Sequence, residues 1–262
     1  MSSYKIFETH AHYDDEAFDE DRDVLLGSMD ENGIREVVNV CASIDSLEKT
    51  KALMEKYSFV YGAFGIHPDD AELVTEEVLD KVRECCGLEK AVAVGEIGLD
   101  YYWHKEAGEH ELQKKVFRQQ MEIARELHLP FMVHSREAAA DTLDLVKDCV
   151  NEGMYGGIIH CFSYGKEMAR EYLNMGLYLG IGGVVTFNNA RKVKEVVEYA
   201  PLEQIVLETD SPYLSPVPYR GKRNCSLNLP LVAEEIGRIK GISSEEVVRV
   251  TGDNARQLLL RK

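Results

Sequence analysis

Two histidines, His10 and His12, close the β-rich run Tyr4-Lys5-Ile6-Phe7-Glu8-Thr9-His10-Ala11-His12. Residues two apart on a strand leave the same face, so both imidazoles point one way. So placed, they can bite one divalent cation at about 2.1 Å each. A His-x-His pair is a weak signal alone. Its weight comes from further along the chain, where other apolar runs end in His67, Glu96, His134, His160 and Asp210. The chemistry expected is metal-assisted displacement. His10, His12, Glu96 and Asp210 would hold one ion, and Glu96 would bridge to a second held by His134 and His160. Two ions about 3.5–4 Å apart clamp the attacking and leaving oxygens and lower the pKa of a water. Asp210, at the last strand end, is placed to take that water's proton, and His67 to contact the substrate or the leaving group. The cofactors expected are two divalent ions per chain. Imidazole with carboxylate suits Zn, Mn, Fe or Ni, and suits Mg less.

These side chains meet only if the architecture gathers strand ends. β-rich runs are read at 4–12, 35–40, 59–66, 91–96, 129–134, 157–160, 178–186 and 204–210. Helical patterns fall at 24–32 (stopped by Gly33), 46–57, 76–85, 109–127, 138–150, 166–174, 192–199, 229–239 and 243–261. Continuous apolar runs mark parallel strands covered on both faces. Eight such units predict an α/β chain folded as a TIM (β/α)8 barrel, a single domain over residues 1–262. The rival, an open doubly wound sheet, would carry a glycine-rich phosphate turn after the first strand; this chain has His-Ala-His there.

The chain carries 46 acidic and 30 basic residues, a net charge of −16. That excludes a sequence-independent nucleic-acid coat, which needs a broad basic face. It leaves room for an enzyme that meets phosphate through metals and a few local cations. No apolar stretch approaches the roughly 18 residues of a membrane helix. The polar start, with Glu8, Asp14 and Asp15 close behind, does not read as a signal peptide. The six cysteines lack paired spacing and read as reduced thiols, so the expectation is a cytoplasmic protein with no membrane contact.

The motifs match a known family. Glu8-Thr9-His10-Ala11-His12, Gly65-Ile66-His67-Pro68, Gly95-Glu96-Ile97-Gly98-Leu99-Asp100-Tyr101, Val133-His134-Ser135-Arg136, His160-Cys161-Phe162-Ser163 and Glu208-Thr209-Asp210-Ser211-Pro212-Tyr213-Leu214 follow in order. Together they resemble the TatD-type metal-dependent deoxyribonucleases of the amidohydrolase superfamily. The resemblance implies a TIM-barrel phosphodiesterase that hydrolyses DNA, often from the 3′ end. His10, His12, Glu96, His134, His160 and Asp210 match that family's metal positions. Three departures stand out. Glu8 replaces the family's Asp, Cys225-Ser226 replaces its Glu-Pro after Asn224, and Tyr164 lengthens its Ser-Gly turn.

Candidate substrate contacts are Arg136, by a bidentate phosphate bond, and the cations Arg220, Lys222 and Arg223 in a loop beyond the eighth strand. Trp103 reads equally as a base-stacking ring or a loop anchor, and Glu208 as support beneath Asp210. His104, His110 and His128 read as structural or exposed. The substrate expected is DNA, single-stranded or at 3′ ends, met by a monomer with no obligate protein partner. The alternative is a two-metal amidohydrolase acting on amide, ester or lactone bonds of a small molecule, since the fold does not fix the substrate. A catalytically dead binding protein is disfavoured, because every ligand position is retained.

Overall fold

In the computed structural model, which describes residues 5–260, the strands follow the expected order. They are β1 (Ile6–Ala11), β2 (Ile34–Val40), β3 (Val60–Phe64), β4 (Ala91–Asp100), β5 (Phe131–Arg136), β6 (Gly157–Ile159), β7 (Tyr178–Ile181) and β8 (Ile205–Leu207). Each runs parallel to the next in one sheet. The helices between and after them are α1 (Arg22–Gly27), α2 (Ile44–Lys56), α3 (Glu76–Cys86), α4 (Ala107–Glu126), α5 (Ala139–Asn151), α6 (Lys166–Asn174), α7 (Arg191–Tyr199), α8 (Leu229–Lys240) and α9 (Ser244–Leu259). Tyr4 and Arg261, expected at the outer ends of the first strand and last helix, lie outside the described residues.

The ring closes through the chain just past β8. Thr9 Oγ1 donates to the Leu207 carbonyl at 2.9 Å. The Asp210 amide donates to His10 O at 2.9 Å, and the His12 amide to Ser211 O at 2.8 Å. This is the TIM barrel that the sequence predicts. Its axis is filled by apolar residues one layer below the chemistry. Met132, Ile158 and Val206 lie two residues before His134, His160 and Glu208 and share their face. They cluster with Val38, Val40 and Ala63, and with Leu258 and Leu259 of α9.

Helix starts follow local capping. Ser43 accepts the Ser46 amide at the start of α2, Thr75 the Val78 amide at α3, and Ser243 the Glu246 amide at α9. A cap of this kind satisfies an amide that the first turn would otherwise orphan. Boundaries differ from expectation at several element ends. The first helix stops at Gly27, and a separate 3-10 turn covers Asp30–Asn32. β7 stops at Ile181, where its partner β8 ends at Leu207. With no strand left to pair, Gly183–Thr186 turns into a 3-10 helix. β4 instead runs on past Glu96, because β5 continues beside it, pairing Gly98 with His134 and Asp100 with Arg136. Gly98 has φ +146°, and a Cβ there would strike the His134 carbonyl. Only glycine lets the two strands run this close.

Candidate metal centre

Strand alternation lifts one ring of polar side chains above that apolar layer. Glu8 and His10 leave β1 and His12 follows it, Glu96 and Asp100 leave β4, and His134 leaves β5. His67, His160 and Asp210 follow β3, β6 and β8. Glu96 lies at the centre of the ring, and its two oxygens face different sides. Oε2 is 3.4 Å from His10 Nε2 and 3.7 Å from His12 Nε2. Oε1 is 2.9 Å from His134 Nδ1, 3.2 Å from His160 Nε2 and 3.9 Å from His67 Nε2. Asp210 Oδ1 joins the first side, 3.8 Å from His10 Nε2 and 3.4 Å from His12 Nε2. The two Nε2 atoms are themselves 3.2 Å apart.

Those separations test the site for a cation. A tetrahedral ion with bonds of about 2.0–2.2 Å sets its donors roughly 3.3–3.6 Å apart. The distances among His10, His12 and Glu96, and those from Asp210 to the two histidines, bracket that spacing. Tautomers agree. His12 Nδ1 lies 2.7 Å from the Val40 carbonyl. A carbonyl only accepts, so Nδ1 carries the proton and the neutral ring offers its Nε2 lone pair to the cluster. His134 Nε2 lies 3.2 Å from Asp100 Oδ2, which turns Nδ1 towards Glu96. His160 Nδ1 lies 3.3 Å from Glu208 Oε1 and presents Nε2 inward. Acceptors packed this closely repel one another unless positive charge sits among them, so the residues fit a divalent ion. His67 is different: its Nδ1 accepts the Asp69 amide at 3.2 Å. The neutral ring then carries its proton on Nε2, as a donor towards the centre.

The carboxylates draw positive charge to the centre. Burial opposes charge on Glu96, but His160 and His10 outweigh it and hold the carboxyl well below its usual range. Burial also works against His12 and His134. Asp210 and Glu96 nevertheless push His12 up to about 9, and Asp100 and Glu96 push His134 up to about 9. His10 goes the other way, lowered by burial and by His160 stacked on it at 3.7 Å. Asp100 falls to about 2 despite its burial, because His134 and the Trp103 and Tyr102 amides all donate to it.

The centre opens into a cleft of about 970 Å³ that reaches Lys49, Trp103, Arg136 and Tyr213. Of the four cations expected to bind substrate, only Arg136 lines it. Arg220 lies over the Phe187 ring at 4.1 Å, and Lys222 Nζ is 5.8 Å from the Tyr219 ring. Arg223 is engaged elsewhere, with Nη1 2.8 Å and Nη2 2.6 Å from the two Asp21 oxygens. Among the described residues neither Arg220 nor Lys222 has an ion pair.

Three features escape a reading of the sequence. Asp100 shares its strand face with Glu96, a signal visible in the alternation but lost when the strand is ended early. Glu8 is wholly buried and holds backbone rather than an imidazole. It accepts from the His10 amide at 3.1 Å, the Thr209 amide at 2.9 Å, Thr209 Oγ1 at 2.7 Å and Ser226 Oγ at 2.8 Å. Burial pushes its carboxyl up to about 7 against those bonds. Lys49, on α2, reaches the cleft with nothing in its local sequence to mark it. Glu208, expected as support beneath Asp210, accepts the Cys161 amide at 2.6 Å. A Cβ at Gly180 would collide with its carboxylate. The extra Tyr164 reaches Ser135 with its hydroxyl at 2.9 Å. Among the described residues no helix is long and apolar enough to cross a membrane.

Comparison with known proteins agrees with this geometry. The family profile described as "TatD related DNase" matches residues 7–260. The chain is 40% identical to the "Uncharacterized metal-dependent hydrolase YabD" of Bacillus subtilis, over 97% of this chain and 98% of that one. It is 30% identical to the "3'-5' ssDNA/RNA exonuclease TatD" of Cronobacter sakazakii, over 93% and 94%. The crystal structure of YJJV, a TatD homologue from Escherichia coli, superposes with a TM-score of 0.91 at 25% identity, covering 98% of this chain and 99% of that one. Organophosphorus hydrolase from Deinococcus radiodurans, at 15% identity and a TM-score of 0.61, shares the fold. With a barrel, a buried His/Glu/Asp ring and end-to-end similarity in agreement, the chain belongs to the TatD-related DNase family of metal-dependent hydrolases.

Proposed function

We propose that the protein is a deoxyribonuclease that cleaves phosphodiester bonds at the 3′ end of single-stranded DNA, using a water that two divalent ions would activate. The observation that carries this reading is the division of Glu96, with Oε2 towards His10 and His12 and Oε1 towards His134 and His160. His10, His12, Glu96 and Asp210 would hold one ion, and Glu96, His134 and His160 the other. When bound, the ions supply charge to the phosphoryl oxygens and acidify a water. The chain's own residues do the rest. Asp210 is 17% exposed at the cleft floor and is placed to take the proton as the water oxygen bonds to phosphorus. The bond from phosphorus to the leaving oxygen breaks, and His67 Nε2 is the donor closest to hand for that oxygen. Arg136, on the cleft wall, suits a non-bridging phosphate oxygen. The name of the Cronobacter sakazakii relative, a 3'-5' ssDNA/RNA exonuclease, supports a nucleic-acid substrate.

The test is a 5′-labelled single-stranded oligonucleotide offered alongside a panel of lactones and acylated amines. Dialysis against a chelator should abolish cleavage, and added Mn or Zn should restore part of it. A ladder shortening from the 3′ end is the expected product. Turnover of the lactones or amides without cleavage of the oligonucleotide would replace this reading with that of a small-molecule amidohydrolase. Full cleavage by protein shown by elemental analysis to be metal-free would overturn the two-metal mechanism.

A further inference from the structure

Past Glu96, β4 carries its chain on to an aromatic corner at the rim of the cleft. Trp103 is the only tryptophan in the chain, and it is 64% exposed where it lines the cleft beside Arg136. A loop anchor would bury its indole, and this one does not. Tyr102 packs edge-on against it, with ring centroids 4.6 Å apart. The Arg136 guanidinium lies 3.9 Å from the Tyr102 ring centroid and 5.5 Å from that of Trp103. Among the described residues Arg136 has no acidic partner, so its donors stay free while its face is stacked. A flat ring with a free guanidinium beside it suits a base joined to a phosphate.

One carboxylate ties this corner to the metal centre. Asp100 Oδ1 accepts the Tyr102 amide at 2.8 Å and the Trp103 amide at 3.1 Å. Its other oxygen faces His134 Nε2 at 3.2 Å. The Tyr101 amide also donates to the Arg136 carbonyl at 2.9 Å, which locks the turn to the end of β5. The backbone that carries the indole is therefore held at a fixed offset from the histidine that faces Glu96.

We infer that Tyr102, Trp103 and Arg136 form a stacking platform for a nucleobase next to the scissile phosphate, with Asp100 as the positioning residue that sets it against the metal centre. This rests on the nuclease reading above. Stacking on an indole accepts any base, because every base has a π-face. The platform thus gives grip without sequence preference, and a net charge of −16 makes such local grip necessary.

The experiment uses the metal-loaded full chain and two single-stranded substrates, an oligothymidylate and the same strand made abasic at its 3′ end. Wild type should show a KM about 10-fold lower for the intact strand. Trp103→Ala should remove that difference by raising KM on the intact strand alone, with kcat nearly kept, and Trp103→Phe should recover much of it. A hydrolysis-resistant phosphorothioate thymidylate should quench the single indole's fluorescence, and its abasic counterpart should not. Asp100→Ala should raise KM on the intact strand and lower the metal retained after dialysis, measured by elemental analysis. Equal KM values on both strands, unchanged by Trp103→Ala, would overturn the platform while the nuclease reading stood. Wild-type metal content and KM in Asp100→Ala would remove its positioning role. Failure of the metal-loaded protein to cleave either strand would sink the nuclease reading and the platform with it.

Discussion

The amide of Asp210 donates to the carbonyl of His10 at 2.9 Å, so two residues that face each other across the candidate metal centre also close the barrel through their backbones. Asp210 sits at φ +58°, a left-handed conformation that asparagine and aspartate tolerate better than most residues. The Tyr213 amide returns to its carbonyl at 2.8 Å and helps to fix it there. Its carboxylate is thus aimed by the fold rather than by the substrate.

Asp210→Asn keeps that backbone, since asparagine accepts the same conformation, but removes the base. The expected result is a folded protein with substrate KM nearly unchanged and kcat lower by about 10²–10⁴. Glu208→Gln should act differently, through the Cys161 amide and His160 that it supports, lowering melting temperature or metal affinity more than kcat. Steady-state kinetics with thermal melts on both variants check this, and near-normal kcat in Asp210→Asn refutes the proton-acceptor role.

The cations of the loop after β8 should separate into two kinds. Arg223 grips Asp21 and lies 4.7 Å from the Phe18 ring, so Arg223→Gln should loosen the loop's anchorage. The pair is partly exposed, which keeps its worth within roughly 0–1 kcal/mol. Arg220→Gln with Lys222→Gln removes charge that no acid among the described residues claims, and should raise KM for an oligonucleotide and flatten its salt dependence. Parallel salt plots for the double variant and wild type would exclude this loop from substrate binding.

The barrel is legible in the sequence because parallel strands covered on both faces read as largely apolar runs, and six of the eight runs end in a ligand-type residue. The ring of His10, His12, Glu96, His134, His160 and Asp210 comes together for the same reason: in a barrel the strand ends converge. What escapes is whatever depends on a distant partner. Glu96, Gly98 and Asp100 alternate as a strand does, yet only pairing with β5 carries β4 that far. Arg223 looks available for phosphate until the fold brings it to Asp21, 202 positions earlier.

Acid should reveal the clamp between α7 and α8. Glu235 accepts both Arg238 Nε and Nη2 at 2.8 Å, with Lys194 Nζ at 2.9 Å. Arg238, with Lys194 assisting, pulls its carboxyl down to about 2 from an ordinary 4.5. A depressed carboxyl stabilises the fold above its unfolded value and loses that contribution as pH falls through the folded one. The melting difference between wild type and Glu235→Gln should therefore hold above pH 4.5 and shrink as pH falls towards 2. A difference that stays constant across that window would mean that the clamp contributes no titrating stability.

Two of the departures from the family pattern touch each other, and this gives the last prediction. Ser226 Oγ donates to Glu8 Oε2 at 2.8 Å, bridging 218 positions. Tyr13 adds to the pair, with its hydroxyl 2.7 Å from Ser226 Oγ and accepting the Ser226 amide at 2.9 Å. An aspartate at position 8 is one methylene shorter and would fall short of Ser226, while a proline at 226 would offer neither hydroxyl nor amide. The longer acid and the serine are therefore one substitution in physical terms. Glu8→Asp should leave buried hydroxyls short of an acceptor and cost about 1–3 kcal/mol, and Ser226→Ala roughly 1 kcal/mol. Because both remove the same bond, the double variant should lose less than the sum, with a coupling of about 0.5–3 kcal/mol. Urea unfolding of the two single variants and the double variant measures it. Strict additivity would mean that the two residues contribute to stability independently.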